Sequence, residues 1–136
     1  MSELSASLDL PLGMAAPTGA RHILRQVLLT WGYTDADWLD ESGLLISELV
    51  GNAVRHGGGC LEVRVQAHGS LVTVSAADGS SVIPRRREPG PTGGLGLALI
   101  ERFAEGWGIE DHHGGKRVWI RLRAYPAGGG DDRADG

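Results

Sequence analysis

Residues 44–56 read Leu44-Leu45-Ile46-Ser47-Glu48-Leu49-Val50-Gly51-Asn52-Ala53-Val54-Arg55-His56. The apolar positions recur at helical spacing, while Glu48, Asn52 and His56 fall at i, i+4 and i+8 and therefore stack along one face. At about 100° per residue, Leu45, Leu49 and Ala53 lie only about 40–60° from the corresponding polar residues, and Ile46, Val50 and Val54 continue the apolar arc. The polar ridge thus borders a core. A carboxylate and an amide at such a boundary lose free energy unless something hydrogen-bonds them, which points to a ligand. Taken alone, the ridge also fits a plain solvated helix edge.

Working outward, an acidic turn from Asp35 to Asp40 suits the start of this helix, and Gly57-Gly58-Gly59 stops it after about His56. Upstream, Ile23, Leu24, Val27, Leu28 and Trp31 predict a helix over about 18–31, capped by Thr18 and closed by Gly32 in a left-handed conformation. Before it, Leu8, Leu10 and Leu12 alternate as in an edge strand. Downstream, Leu61, Val63 and Val65, then Val72, Val74 and Ala76, alternate around His68-Gly69-Ser70 and predict a β-hairpin. Residues 79–94 hold three prolines, four glycines and the triplet Arg85-Arg86-Arg87, without apolar periodicity, which predicts a long functional loop. A third helix over about 95–105 buries Leu95, Leu99, Ile100 and Phe103. Trp107 to Asp111 and Arg117 to Leu122 form a closing hairpin. Trp31, Trp107 and Trp119 are expected in the core or an interface, and Trp38 is unassigned.

This order lacks strict βαβ alternation and predicts an α+β fold, a two-layer α/β sandwich with helices on one face of a mixed, mostly antiparallel sheet. Residues 1–125 are expected to form a single domain, and 126–136 a disordered polar tail. With 13 basic and 17 acidic residues the chain carries −4, which gives no electrostatic basis for binding duplex DNA. A lone Cys60 and the lack of a charged-apolar-small leader predict a reducing cytoplasm. The apolar runs fall short of the roughly 20 residues that cross a bilayer. Glycine supplies 22 of 136 residues, over twice the usual share of about 7%, without a collagen period.

Two further features bear chemistry. Thr92-Gly93-Gly94-Leu95-Gly96-Leu97 runs straight into the third helix, where glycines and first-turn N–H groups can approach an anion; a flexible entry turn is the plainer alternative. Asp78 ends a strand, where it can accept from the exocyclic amine of a base or cap a turn. His112-His113 has no further ligand at metal-binding spacing and reads as a turn.

Together these residues resemble the GHKL superfamily of ATPases and kinases and its Bergerat nucleotide-binding fold. Glu48 to His56 is similar to the family's N box, Asp78-Gly79-Ser80 to its first glycine box, and residues 93–97 to its second. Gly94 to Ile100, Trp107-Gly108 and Gly115-Lys116-Arg117-Val118-Trp119 resemble the stand-alone anti-sigma-factor serine/threonine kinases, with the likeness spanning about residues 8–123. The resemblance implies a histidine-kinase-like ATP-binding domain with an ATP lid at about 79–94. In it Asn52 holds Mg²⁺ against the triphosphate of ATP, Asp78 accepts from the adenine amine, and Gly94 and Gly96 let the backbone wrap the phosphates. His56, Ser80, Gly93, Leu95 and Leu97 complete the nucleotide contacts, and Glu48 is the general base toward a serine or threonine hydroxyl. It also implies a sigma factor and an anti-anti-sigma (STAS-type) protein as partners, with no direct nucleic acid and no membrane; a homodimer is left open. The chain departs from the family pattern at Ser80 and Val82, which replace lid glycines, and at Lys116 and Arg117, where relatives carry threonine near the adenine. The rival readings are a nucleotide-binding partner-switch module without kinase activity and an ATPase clamp; no transducer domain is expected in a chain this short to serve the clamp.

Overall fold

The computed structural model describes residues 3–10, 15–56, 62–78, 95–112 and 115–126. Its elements run β1 (Glu3–Leu8), α1 (Ala16–Thr30), α2 (Ala36–His56), β2 (Glu62–His68), β3 (Leu71–Asp78), α3 (Leu95–Phe103), β4 (Gly106–His112) and β5 (Gly115–Arg121). The strands form one five-stranded sheet in the order β1-β2-β3-β5-β4. The sheet expected to be mixed and mostly antiparallel is antiparallel at every described pairing. The topology explains this: the α1–α2 pair returns the chain to β1 in reverse, and α3 carries it past the slot beside β3 to the edge. There β4 and β5 hairpin back, so β4, the strand running with β3, does not touch it.

Strand alternation builds one layer of the core. Val65, Val74 and Ile120 form one cross-strand row and Val63, Ala76 and Val118 the next. These side chains are buried against Leu24 and Leu28 of α1, Leu45, Ile46, Leu49 and Val50 of α2, and Ile100 of α3. Each fully buried aliphatic side chain contributes roughly 1.5–3 kcal/mol. The α2 arc read from the sequence is the arc that faces the sheet.

Helix ends follow local chemistry, with one correction. Thr18 does not cap α1. The helix starts earlier, after Ala15, with no side-chain cap and with Pro17 in its first turn, where a fixed φ and a missing N–H are no handicap. Its C-terminus is a Schellman turn: Gly32 adopts φ 99°, its N–H donates to the Leu29 carbonyl at 3.0 Å, and that of Tyr33 donates to Leu28 at 2.9 Å. Asp35 caps α2 by accepting from the Trp38 N–H at 2.9 Å. The third helix ends at Phe103, before the expected 105, because the Glu105 N–H is taken by the Arg121 carbonyl of the sheet at 2.8 Å.

Trp38, unassigned by the sequence, is the largest fully buried side chain. It stacks on Tyr33 at 5.4 Å and meets Tyr125 edge-on at 5.0 Å. Its Nε1 donates to the Arg123 carbonyl at 2.7 Å, and the Tyr125 hydroxyl accepts from the N–H groups of Thr34 and Asp35 at 2.8 and 2.9 Å. Residues 122–125 thereby clasp the α1–α2 turn to the end of the sheet. Trp31 and Trp107 are half-buried against the core.

The sheet face opposite the helices is mostly polar; Trp119, expected in the core or an interface, is half-buried there beside Thr73, Ser75 and Arg117. Arg117 reaches over Ala77 of β3 to Glu62 of β2 at 2.8 Å, Arg64 takes the other Glu62 oxygen at 2.8 Å, and Arg117 also donates to Ser75 Oγ at 3.0 Å. The two guanidinium hydrogen bonds, Arg117 first, hold the Glu62 carboxyl below its ordinary range.

Candidate functional site

On α2, Glu48 and Asn52 stand one turn apart and are both half-buried, beside the buried Leu45, Leu49 and Ala53. The ridge therefore lies at the rim of the core. Among the described residues no hydrogen bond or ion pair engages the Glu48 carboxylate. Asn52 Oδ1 accepts from Arg55 Nη2 at 2.9 Å, an i, i+3 contact along the same helix. His56 is the last residue of α2.

Asp78 closes β3 directly opposite Lys116 of β5. Both continue the apolar phase of their strands: Asp78 follows Val72, Val74 and Ala76, and Lys116 precedes Val118 and Ile120. They therefore sit on the helix side of the sheet, with side chains only 1% and 7% exposed. Lys116 Nζ donates to Asp78 Oδ1 at 3.0 Å and to Oδ2 at 3.2 Å. Such a pair is weak support for stability, yet removing one partner strands a buried charge and costs about 3–5 kcal/mol.

The sequence placed Lys116 and Arg117 together near the base site. The sheet separates them. Alternation sends Lys116 to Asp78 and turns Arg117 to the far face, onto Glu62 and Ser75. The signal for a buried Lys116 was present in the chain, since it falls in phase with Val118, Ile120 and Leu122; its partner was hidden, because β3 and β5 are not consecutive. Arg55 is the other residue the sequence reading passed over.

Ser80, Gly93 and Gly94, with the whole lid at 79–94, lie outside the described residues, as do Cys60 and most of the tail. Leu95, Gly96 and Leu97 form the first turn of α3, and α3 packs on α2. The glycine-rich helix entrance and the Glu48/Asn52 ridge are thus borne on neighbouring helices.

The Asn52 amide oxygen is a hard donor, too little by itself for an all-protein cage. It suits Mg²⁺, which keeps several waters and takes further oxygens from a phosphate substrate. The second lone pair of Asn52 Oδ1 lets a cation bind while Arg55 stays in place. Among the described residues no cluster of three or more His, Cys, Asp or Glu could hold a metal alone, and no helix is long and apolar enough to cross a membrane.

A family model described as a histidine kinase-like ATPase domain matches residues 13–122. No curated protein matches the chain. The matched span takes in α1 to β5, and with them the α2 ridge, the Asp78–Lys116 pair and the α3 entrance.

Proposed function

The chain belongs to the family of histidine kinase-like ATPase domains, and on that premise we propose that it is an ATP-dependent serine/threonine protein kinase of the anti-sigma type. The observation that carries this reading is Glu48: a half-buried carboxylate engaged by no described residue, one turn from Asn52. A module that only bound nucleotide would have no use for a base at that place. In this reading Asp78 meets the adenine amine, the first turn of α3 with Gly93 and Gly94 cradles the phosphates, and Asn52 holds Mg²⁺. The bound cation supplies charge neutralisation on the triphosphate. The Glu48 carboxylate takes the proton of a serine or threonine hydroxyl as that oxygen bonds to the γ-phosphorus and ADP departs. Phosphoryl transfer asks mainly for positioning and charge compensation, so this small set suffices.

The partners in this proposal are a sigma factor held inactive and an anti-anti-sigma protein of STAS type that receives the phosphate. Phosphorylation adds about −1.5 to −2 charge, enough to make the two complexes differ in free energy. The rival is a nucleotide-binding partner switch without transfer.

The test is labelled ATP with a candidate antagonist, using wild type and Glu48→Ala. Both proteins are expected to bind nucleotide, and only wild type to label the antagonist. If wild type binds ATP and transfers nothing, the rival stands. Asn52→Ala is expected to abolish the Mg²⁺-dependent part of nucleotide binding, and an unchanged calorimetric affinity contradicts its role.

A further inference from the structure

We propose that the outer edge of β1 pairs with the same edge of a second copy of this chain, in the register that sets Ala6 opposite Ala6, so that two five-stranded sheets continue as one. The proposal stands apart from the nucleotide reading and rests on β1 and α1 alone. Among the described residues β1 pairs only with β2 and ends the sheet. The outer N–H and C=O groups of such a strand are a template for another strand unless a charge, a proline or a bulge blunts them. The opposite edge, β4, carries Glu110 and Asp111. Residues Leu4 to Leu8 carry no charge and no proline, and the β1–β2 register runs unbroken, so no bulge turns this edge away.

The strand is also its own complement. Leu4-Ser5-Ala6-Ser7-Leu8 reads the same in both directions about Ala6. A twofold axis there sets Leu4 opposite Leu8 and Ser5 opposite Ser7, and directly opposed residues of an antiparallel pair share a face. Leu4, Ala6 and Leu8 stand beside the buried Ala67, Val65 and Val63. In the pair they all lie on the helix side, and the helices of both copies cover one face. A register displaced by one residue would set them against the serines of the other face. Only at the two ends do like charges meet, Glu3 opposite Asp9, both exposed where salt screens them.

Strand pairing alone is marginal in water, and one strand about 20 Å long buries less than the roughly 800 Å² per partner of a standard interface. The outer flank of α1 adds to it. A groove of about 380 Å³ between strand and helix is lined by Ala6, Ile23, Val27 and Trp31, with Gln26 and Thr30. Among the described residues no charged side chain lines it, so the twofold axis brings two neutral surfaces together. Trp31 is only half-buried there and Leu4 is exposed; a second copy gives both their remaining cover.

Sedimentation velocity on the full chain, from about 1 to 200 µM, tests this. Wild type is expected to pass from monomer to dimer with a midpoint on the order of 10 µM. Ser5→Lys/Ser7→Lys sets lysine against lysine across the axis and is expected to raise that midpoint about tenfold or more. Ser5→Lys/Ser7→Glu sets lysine against glutamate and is expected to dimerise at least as well as wild type. Both serines are exposed, so the fold is kept, which far-ultraviolet dichroism checks. Wild type that stays monomeric throughout overturns the proposal and leaves the edge to a partner of another sequence. Equal dimerisation of the two variants, or its loss in Ser5→Lys/Ser7→Glu, overturns the register and the proposal with it. Should either variant not fold, hydrogen exchange of wild type decides. Amides within residues 4–8 are expected to gain protection as concentration rises, and unchanged protection overturns the proposal.

Discussion

A Cβ built on Gly108 would stand 2.6 Å from Cζ2 of Trp119 and 2.7 Å from Cε2 and Nε1, closer than side-chain atoms pack. The two residues are register partners on β4 and β5, and the indole takes the space that a side chain at 108 would need. Gly108→Ala is therefore expected to displace the indole and lower stability by about 1–3 kcal/mol, measured by urea unfolding, with a change in near-ultraviolet dichroism. An unchanged midpoint and spectrum would show that the ring moves aside freely. The sequence carried Gly108 only as part of a family likeness; its physical reason lies on another strand. Trp38 makes the same point in reverse. Asp35, Asp37 and Asp40 surround it in sequence, and its burial is completed by distant groups, Tyr125 and the Arg123 carbonyl, together with Tyr33.

At the scale of elements, α2 is the unit that joins stability to chemistry, because one face packs on the sheet while its rim bears Glu48 and Asn52. Its 21-residue length and its apolar arc were legible in the chain, since the 3.6-residue period is long and unbroken there. Its start was legible too: Asp35 accepts the Trp38 N–H. Asp35→Ala is expected to destabilise the protein by about 1 kcal/mol, read from chemical unfolding, while Asp35→Asn recovers most of it. Equal loss in both variants would mean that charge, and not the cap, matters. The start of α1 was misread because Thr18 is a good capping residue in isolation, whereas Pro17 two positions into the helix moves the boundary upstream. End signals from a single residue are weaker than signals spread over several turns.

At the scale of the whole molecule, the polar sheet face ties β2 to β5 through Glu62 and Arg117 across the small Ala77. The folded state holds the Glu62 carboxyl below its ordinary value of 4.5, chiefly through Arg117 and then Arg64. Its stabilising contribution is therefore complete above that value and is lost as pH falls through the lower, folded one. Glu62→Gln is expected to be less stable than wild type at neutral pH, with the difference shrinking below about pH 4.5; a difference independent of pH would exclude this linkage. On the opposite face, the same alternation that buries Val118 and Ile120 carries Lys116 in with them and delivers it to Asp78. By itself, then, the sequence determined the kinds of element, their order and the face that α2 buries, because periodicity and turn chemistry are properties of neighbouring residues; it set the first strand too late, on Leu8, Leu10 and Leu12, where the structure has Glu3–Leu8. It also placed the Glu48/Asn52 ridge at the core boundary, which the helical period alone fixes. Only the tertiary structure decided which strands are neighbours, that residues 122–125 clasp the α1–α2 turn, and that Asp78 faces a lysine. Each of these joins residues far apart in the chain, and such pairing follows from how the sheet closes on the helices, which no local pattern encodes.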